Sequence, residues 1–154
     1  MLLSAALAVG ADQGTKAWAR VALREHGVAL WPRHLFLELV HNRGATLGWL
    51  AGHPGLAALL TLGTMGAIVG WWMLAAPRRW TSGVALGLVL GGAGSNLFDR
   101  LIRPDAVVDM IVVVFAPGRR FPAFNLADAA VTMGLLALGL GALRGMRARE
   151  PDTT

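Results

Sequence analysis

The chain has 154 residues, of which 55% are hydrophobic and 15% charged. Soluble domains carry roughly 25% charged residues, so this balance, with a mean hydropathy of +0.56, excludes an ordinary water-soluble domain and points to a bilayer. The absence of cysteine excludes disulfides, thiol nucleophiles and thiolate metal sites, and the net charge of +5 is expected to meet anionic lipid headgroups, not nucleic acid, because the arginines flank apolar runs.

The first apolar run, Leu2 to Ala11, is cut off by Asp12. It has the length of a signal-peptide core, but the basic flank is missing and Asp12 and Lys16 stand where a small-residue cleavage site belongs. The better reading is a short first transmembrane helix, about 2–22, that runs on through "DQGTKAWARVAL" with its polar residues facing protein or an interface. The segment from Leu23 to Pro54 follows, and "LFLELV" within it alternates like a short strand. Gly55 to Ala76 and Trp80 to Ile102 are each long enough to cross a hydrocarbon core of roughly 30 Å, and "PRRW" makes a tight turn between them. After the segment Arg103 to Arg120, where "VVDMIVVVF" reads as a second strand, Phe121 to Leu143 forms the last span with Asp128 as its one charge.

The expected fold is therefore an all-α membrane protein, a single domain over 1–154. It has four transmembrane helices (about 2–22, 55–76, 80–102 and 121–143) and a small extracytoplasmic β-sheet and loop region at the membrane surface. Four spans put both termini on one side. Of the 14 Lys and Arg, five (Arg78, Arg79, Arg144, Arg147, Arg149) lie in the turn and tail and nine elsewhere. Counted this way, the positive-inside rule would place the turn and tail outside.

The polar residues gather in five clusters: "DQGTK", "HNRGATLG", "GSNLFDR", "VVDM" and "FNLAD". All five fall at the same ends of the spans, on the side of the longer loops, as a site built at one membrane face requires. Helical spacing puts Asp12 with Lys16 and Asn96 with Arg100 at i,i+4, and Asn125 with Asp128 at i,i+3, so each pair shares a face. Gly91, Gly92 and Gly94 allow a helix or a substrate backbone close approach. Structural roles account for several of these groups: an ion pair for Asp12 and Lys16 with an indirect part in the site, a helix-end salt bridge for Asp99 and Arg100, a solvated turn for Asp105. His41 and His53 have no partners at ligand spacing, so neither a metal nor another cofactor is expected.

Asp109 and Asp128 resist such explanations. Asp109 has no local basic partner, and Asp128 has only Asn125 within a turn. Two carboxylates in a partly dry site share a proton and titrate as a pair, the arrangement in which one activates water while the other protonates a scissile carbonyl. Spacing alone does not show that these two meet; it makes them the leading candidates.

Together the five ordered motifs, from "DQGTK" to "FNLADAAVTMG", resemble the lipoprotein signal peptidase (signal peptidase II) family of bacterial membrane aspartic peptidases. The resemblance implies Asp109 and Asp128 as the catalytic dyad, and Asn96 and Arg100 as holders of the substrate backbone. Asn42 and Gly44, at the edge of the site, and Asn125, in the second catalytic motif, are further substrate-binding residues, and Asp12 and Lys16 are supporting residues. It implies removal of signal peptides from diacylglyceryl-modified prolipoproteins by a cut just before the lipidated cysteine. It also implies a multi-pass monomer in the bacterial cytoplasmic membrane, both termini cytoplasmic and the dyad near the outer face, against the charge count. The chain departs from the family pattern at Thr46, Leu47, Gly94 and Ser95 and in its short first helix, none of which removes the dyad. The alternative is a small proton-coupled membrane transport protein with an Asp relay. A relay needs titratable groups through the depth of the bilayer, and "GLLALGLGAL" offers none.

Overall fold

The structure, a computed structural model, describes residues 1–42, 53–75, 79–103 and 107–147. In chain order it comprises α1 (Leu2–Ala22), β1 (Val28–Trp31), β2 (Leu35–Asn42), α2 (Pro54–Ala75), α3 (Trp80–Ile102), β3 (Val107–Ala116), β4 (Arg119–Arg120) and α4 (Leu126–Arg147). Three helices carry stretches long and apolar enough to cross a membrane: Gly55–Leu74, Trp80–Ile102 and Leu126–Gly145. The stretch in α3 is 56% buried, against 11% in α2 and 17% in α4, so α3 is the central helix and the others surround it. Residues such as Leu59, Leu74, Leu136 and Leu140 stay exposed, as lipid-facing side chains do in a bilayer.

Between Leu2 and Ala22, α1 is uninterrupted. Its charged residues do not break it because Asp12 and Lys16 turn inward and are fully buried against α3. With that charge α1 is not among the three helices apolar enough to span by composition alone. Small residues set the packing distances. A Cβ on Gly91 would strike Ala5 and Ala8 of α1, and one on Gly92 would strike the Ala127 carbonyl of α4. Both faces of α3 thus approach a neighbour at backbone distance, which any larger side chain prevents.

The sheet is antiparallel in the order β1-β2-β3-β4. Both strands expected from sequence form, and their register sets Val40 opposite Asp109 and Asn42 opposite Val107. β1 and the two-residue β4 were not expected; both are short and exposed, and neither shows a buried alternation. One face of the sheet closes over the end of α1, where Val108 and Met110 pack with Ala19 and Leu23.

The last helix begins at Leu126, five residues later than the expected start at Phe121. Phe124 instead pairs with Ile111 of β3 through backbone hydrogen bonds, and Pro122 has no N–H to give a helix. Hydrophobicity could not reveal this, because an apolar residue serves a strand and a span equally well.

Candidate active site

Each carboxylate is brought to the site by a different kind of element. Asp109 is 1% exposed and sits near the start of β3, where the pairing with β2 brings Asn42 close enough for its amide to donate to Asp109 Oδ2 at 2.9 Å. Asp128 lies in the first turn of α4. Its amide N–H donates to Asn125 Oδ1 at 2.9 Å, and its Oδ2 accepts from the Asn125 N–H at 3.2 Å. That reciprocal pair is a capping box, so the sequence that starts α4 also orients its carboxylate. Asn125 is therefore at the cap of α4, not on a shared helical face.

Asn125 ties the two carboxylates together. Its side-chain nitrogen donates to Asp109 Oδ1 at 2.7 Å and reaches Asn96 Oδ1 at 3.1 Å. Asn96 in turn donates from Nδ2 to Asp128 Oδ1 at 2.8 Å. Both carboxylates open onto one cleft of about 590 Å³, which Asn42, Asn96 and Arg100 also line. Apolar side chains, Phe121 and Met133 among them, form the remainder of its wall.

Burial pushes the Asp109 carboxyl up to about 6, and the neighbouring Asp128 charge adds to the rise. Hydrogen bonds from Asn42 and Asn125 and the Lys16 charge work in the opposite direction. Asp109 thus keeps a proton more readily than an ordinary carboxylate, as a dyad requires.

Behind the cleft lies a fully buried ionic cluster. Lys16 Nζ contacts Asp12 Oδ2 at 2.6 Å and Asp99 Oδ2 at 2.7 Å, and donates to Asn96 Oδ1 at 2.7 Å. Asp12 Oδ1 accepts from the Ala127 N–H at 2.9 Å, which pins the first turn of α4, next to Asp128, onto α1. Ser95 Oγ donates to Asp12 Oδ2 at 2.7 Å, and Gln13 Nε2 donates to Ser95 Oγ and Asp99 Oδ1 at 3.0 and 3.1 Å.

This cluster corrects one expectation. Asp99 pairs with Lys16 and, at 2.8 Å, with Arg103, not with Arg100. The i,i+4 spacing carries Arg103 back onto Asp99, whereas a residue at i+1 points elsewhere on a helix. Arg100 is left half-buried on the cleft, donating to the Asn96 carbonyl at 3.2 Å and within electrostatic reach of Asp109 and Asp128. Gln13, Ser95 and Asp99 are the members that sequence reasoning missed. Each lay inside a motif already singled out, but nothing in the spacing tells which helix faces which. Gly44, Thr46, Leu47 and Asp105 lie outside the described residues. Among the described residues no group of three or more His, Asp or Glu could hold a metal ion.

Comparison with known proteins adds independent observations. The profile of the family described as signal peptidase (SPase) II matches residues 4–144. The lipoprotein signal peptidase of Pseudomonas putida is 34% identical over 145 residues, covering 91% of this chain and 84% of that protein. That of Geobacillus kaustophilus is 38% identical over 136 residues, covering 87% and 86%. A bacterial membrane enzyme solved by the in meso method at 2.3 Å superposes with a TM-score of 0.83 at 27% identity, covering 99% of this chain and 92% of that one.

Proposed function

Since the chain belongs to the signal peptidase II family, an aspartic peptidase of the membrane that removes signal peptides from prolipoproteins, we propose that Asp109 and Asp128 are its catalytic dyad. The observation that carries this reading is the shared cleft, in which a buried carboxylate from β3 and a partly buried one from α4 are held by one asparagine. One carboxylate takes a proton from water as the water oxygen attacks the scissile carbonyl. The other gives its proton to the carbonyl oxygen, forming a gem-diol. Collapse of the gem-diol returns a proton to the departing nitrogen, breaks the C–N bond and restores the shared proton to the pair.

Asn96 and Arg100 hold the extended substrate backbone, whose carbonyls suit the fork of guanidinium donors, while Asn42, Gly44 and Asn125 border the scissile bond. Asp12 and Lys16 support the site from behind. The chain works as a monomer with α1 as a fourth span. Its termini are cytoplasmic and the sheet lies at the outer face, where the lipidated cysteine of a substrate resides. No titratable residue occurs between Gly55 and Leu74 of α2, before Asp99 in α3, or from Ala129 to Leu143 of α4, which leaves a proton relay without a path.

Purified protein incubated with a diacylglyceryl-modified prolipoprotein should release a shortened product that begins at the lipidated cysteine. An intact substrate after prolonged incubation, with folded enzyme present, would defeat the reading.

A further inference from the structure

Resting on that aspartic peptidase reading, we propose that Lys16 is a positioning residue that acts through Asn96. Its buried ammonium fixes which end of the Asn96 amide faces Asp128, so that the amide nitrogen is the end that donates to this carboxylate.

The oxygen and nitrogen of an asparagine side chain are nearly alike in size, so shape alone does not choose between the two orientations of the amide. Charge does. Lys16 Nζ lies 2.7 Å from Asn96 Oδ1, and Asn125 Nδ2 approaches the same oxygen at 3.1 Å. Turning the amide over would set its NH₂ against an ammonium and its oxygen against the Asp128 carboxylate, two repulsions at hydrogen-bond distance. With the oxygen occupied by donors, Nδ2 faces Asp128 Oδ1 at 2.8 Å. A cation at the amide oxygen also draws electron density from the nitrogen, which strengthens the N–H as a donor. Asp109 receives its hydrogen bonds from Asn42 and Asn125.

Lys16 is itself held in place. It is 0% exposed, and Asp12 of α1 and Asp99 of α3 grip it from two sides. Asp12 is fixed by Ser95 and the Ala127 N–H, and Asp99 by Gln13 and Arg103. Arg100, also near the pair, lines the cleft in front of it and donates to a main-chain carbonyl.

A residue that acts through another is exposed by a double-mutant cycle. Cleavage of lipidated prolipoprotein is measured for wild type, Lys16→Met, Asn96→Ala and the double variant. Lys16→Met should lower kcat about 10- to 100-fold, the range for loss of an orienting partner, with KM within about threefold. In the Asn96→Ala background the same change should cost no more than about threefold, because the amide it keys is gone. If the losses multiply instead, or if Lys16→Met keeps wild-type kcat while folded, the lysine is only a structural partner and the proposal fails. Should Lys16→Met yield no folded protein, the cycle run with Lys16→Met/Asp99→Asn, which removes one charge of each sign, decides by the same criterion. Failure of the peptidase reading itself is visible separately, as wild-type protein that cuts nothing.

Discussion

Asp109 and Asp128 each have both oxygens accepting hydrogen bonds from N–H groups. An amide in either place can neither take a proton from water nor return one. Asp109→Asn and Asp128→Asn should each lower cleavage by about 100- to 10,000-fold while the protein stays folded in detergent. Residual activity within tenfold of wild type would remove that residue from the dyad. The raised Asp109 carboxyl, at about 6, also has a consequence for stability. Above the ordinary carboxylate value of ~4 the unfolded chain has lost this proton while the folded protein still holds it. The contribution of the group is therefore most favourable at low pH and declines as pH rises through about 4 to 6. An asparagine has no such dependence, so the melting temperature of Asp109→Asn relative to wild type should rise between pH 4 and 7; a flat difference would show that Asp109 titrates normally. Arg100 and Asp99 separate in the same way by what they touch. Arg100→Ala should lose most cleavage with little change in melting temperature. Asp99→Ala removes a partner from the fully buried Lys16 and should cost about 3–5 kcal/mol of stability, the reverse of what their adjacency in sequence suggests.

At the scale of elements, the site depends on three helices meeting closely at one end. The carbonyl of Ala127, one residue before Asp128, lies where a Cβ on Gly92 would be. Gly92→Ala should therefore push the first turn of α4 away from α3, costing about 1–3 kcal/mol through overpacking and lowering kcat through displacement of Asp128. Gly94 has open space around its Cα and serves as the control: Gly94→Ala should leave both melting temperature and kcat near wild type. Equal behaviour of the two variants would show that close approach at Gly92 does not matter. The start of α4 illustrates how one short stretch serves two ends. "FNLAD" carries Phe124 into the sheet, Asn125 to the cap and Asp128 to the cleft, so the strand pairing that shortens the helix also aims its carboxylate.

For the whole molecule, the proposed orientation puts the sheet at the outer face and the N-terminus of α3 at the cytoplasmic face. Because the chain has no cysteine, single substitutions report sidedness without background. In intact cells, Arg119→Cys at the exposed β4 should react with a membrane-impermeant thiol reagent. Arg79→Cys, exposed at the N-terminus of α3, should react only after permeabilisation. The opposite pattern would invert the topology and restore the orientation given by the charge count.

Composition and pattern determine, without tertiary structure, that this chain belongs in a bilayer, where its apolar runs fall, and that its polar residues collect at one end. Hydrophobicity is additive along a chain, so these properties can be read residue by residue. The capacity of "DQGTK" to lie inside a helix and the two sheet strands were legible for the same reason, and Asp109 and Asp128 stood out as isolated charges in apolar surroundings. Which groups meet was not. Lys16 and Asn96 are 80 positions apart and Asp12 and Ala127 are 115, and no local spacing relates them. The i,i+4 rule found the Asp12–Lys16 pair, but adjacency suggested Arg100 for Asp99, which takes Arg103 by i,i+4 spacing and Lys16 from the helix that packs against it. Only the tertiary structure decided that α1 and α3 close around one ammonium, with α4 held to Asp12 through the Ala127 N–H. Helix packing set by small residues, not charge in the sequence, brings those groups within hydrogen-bond reach.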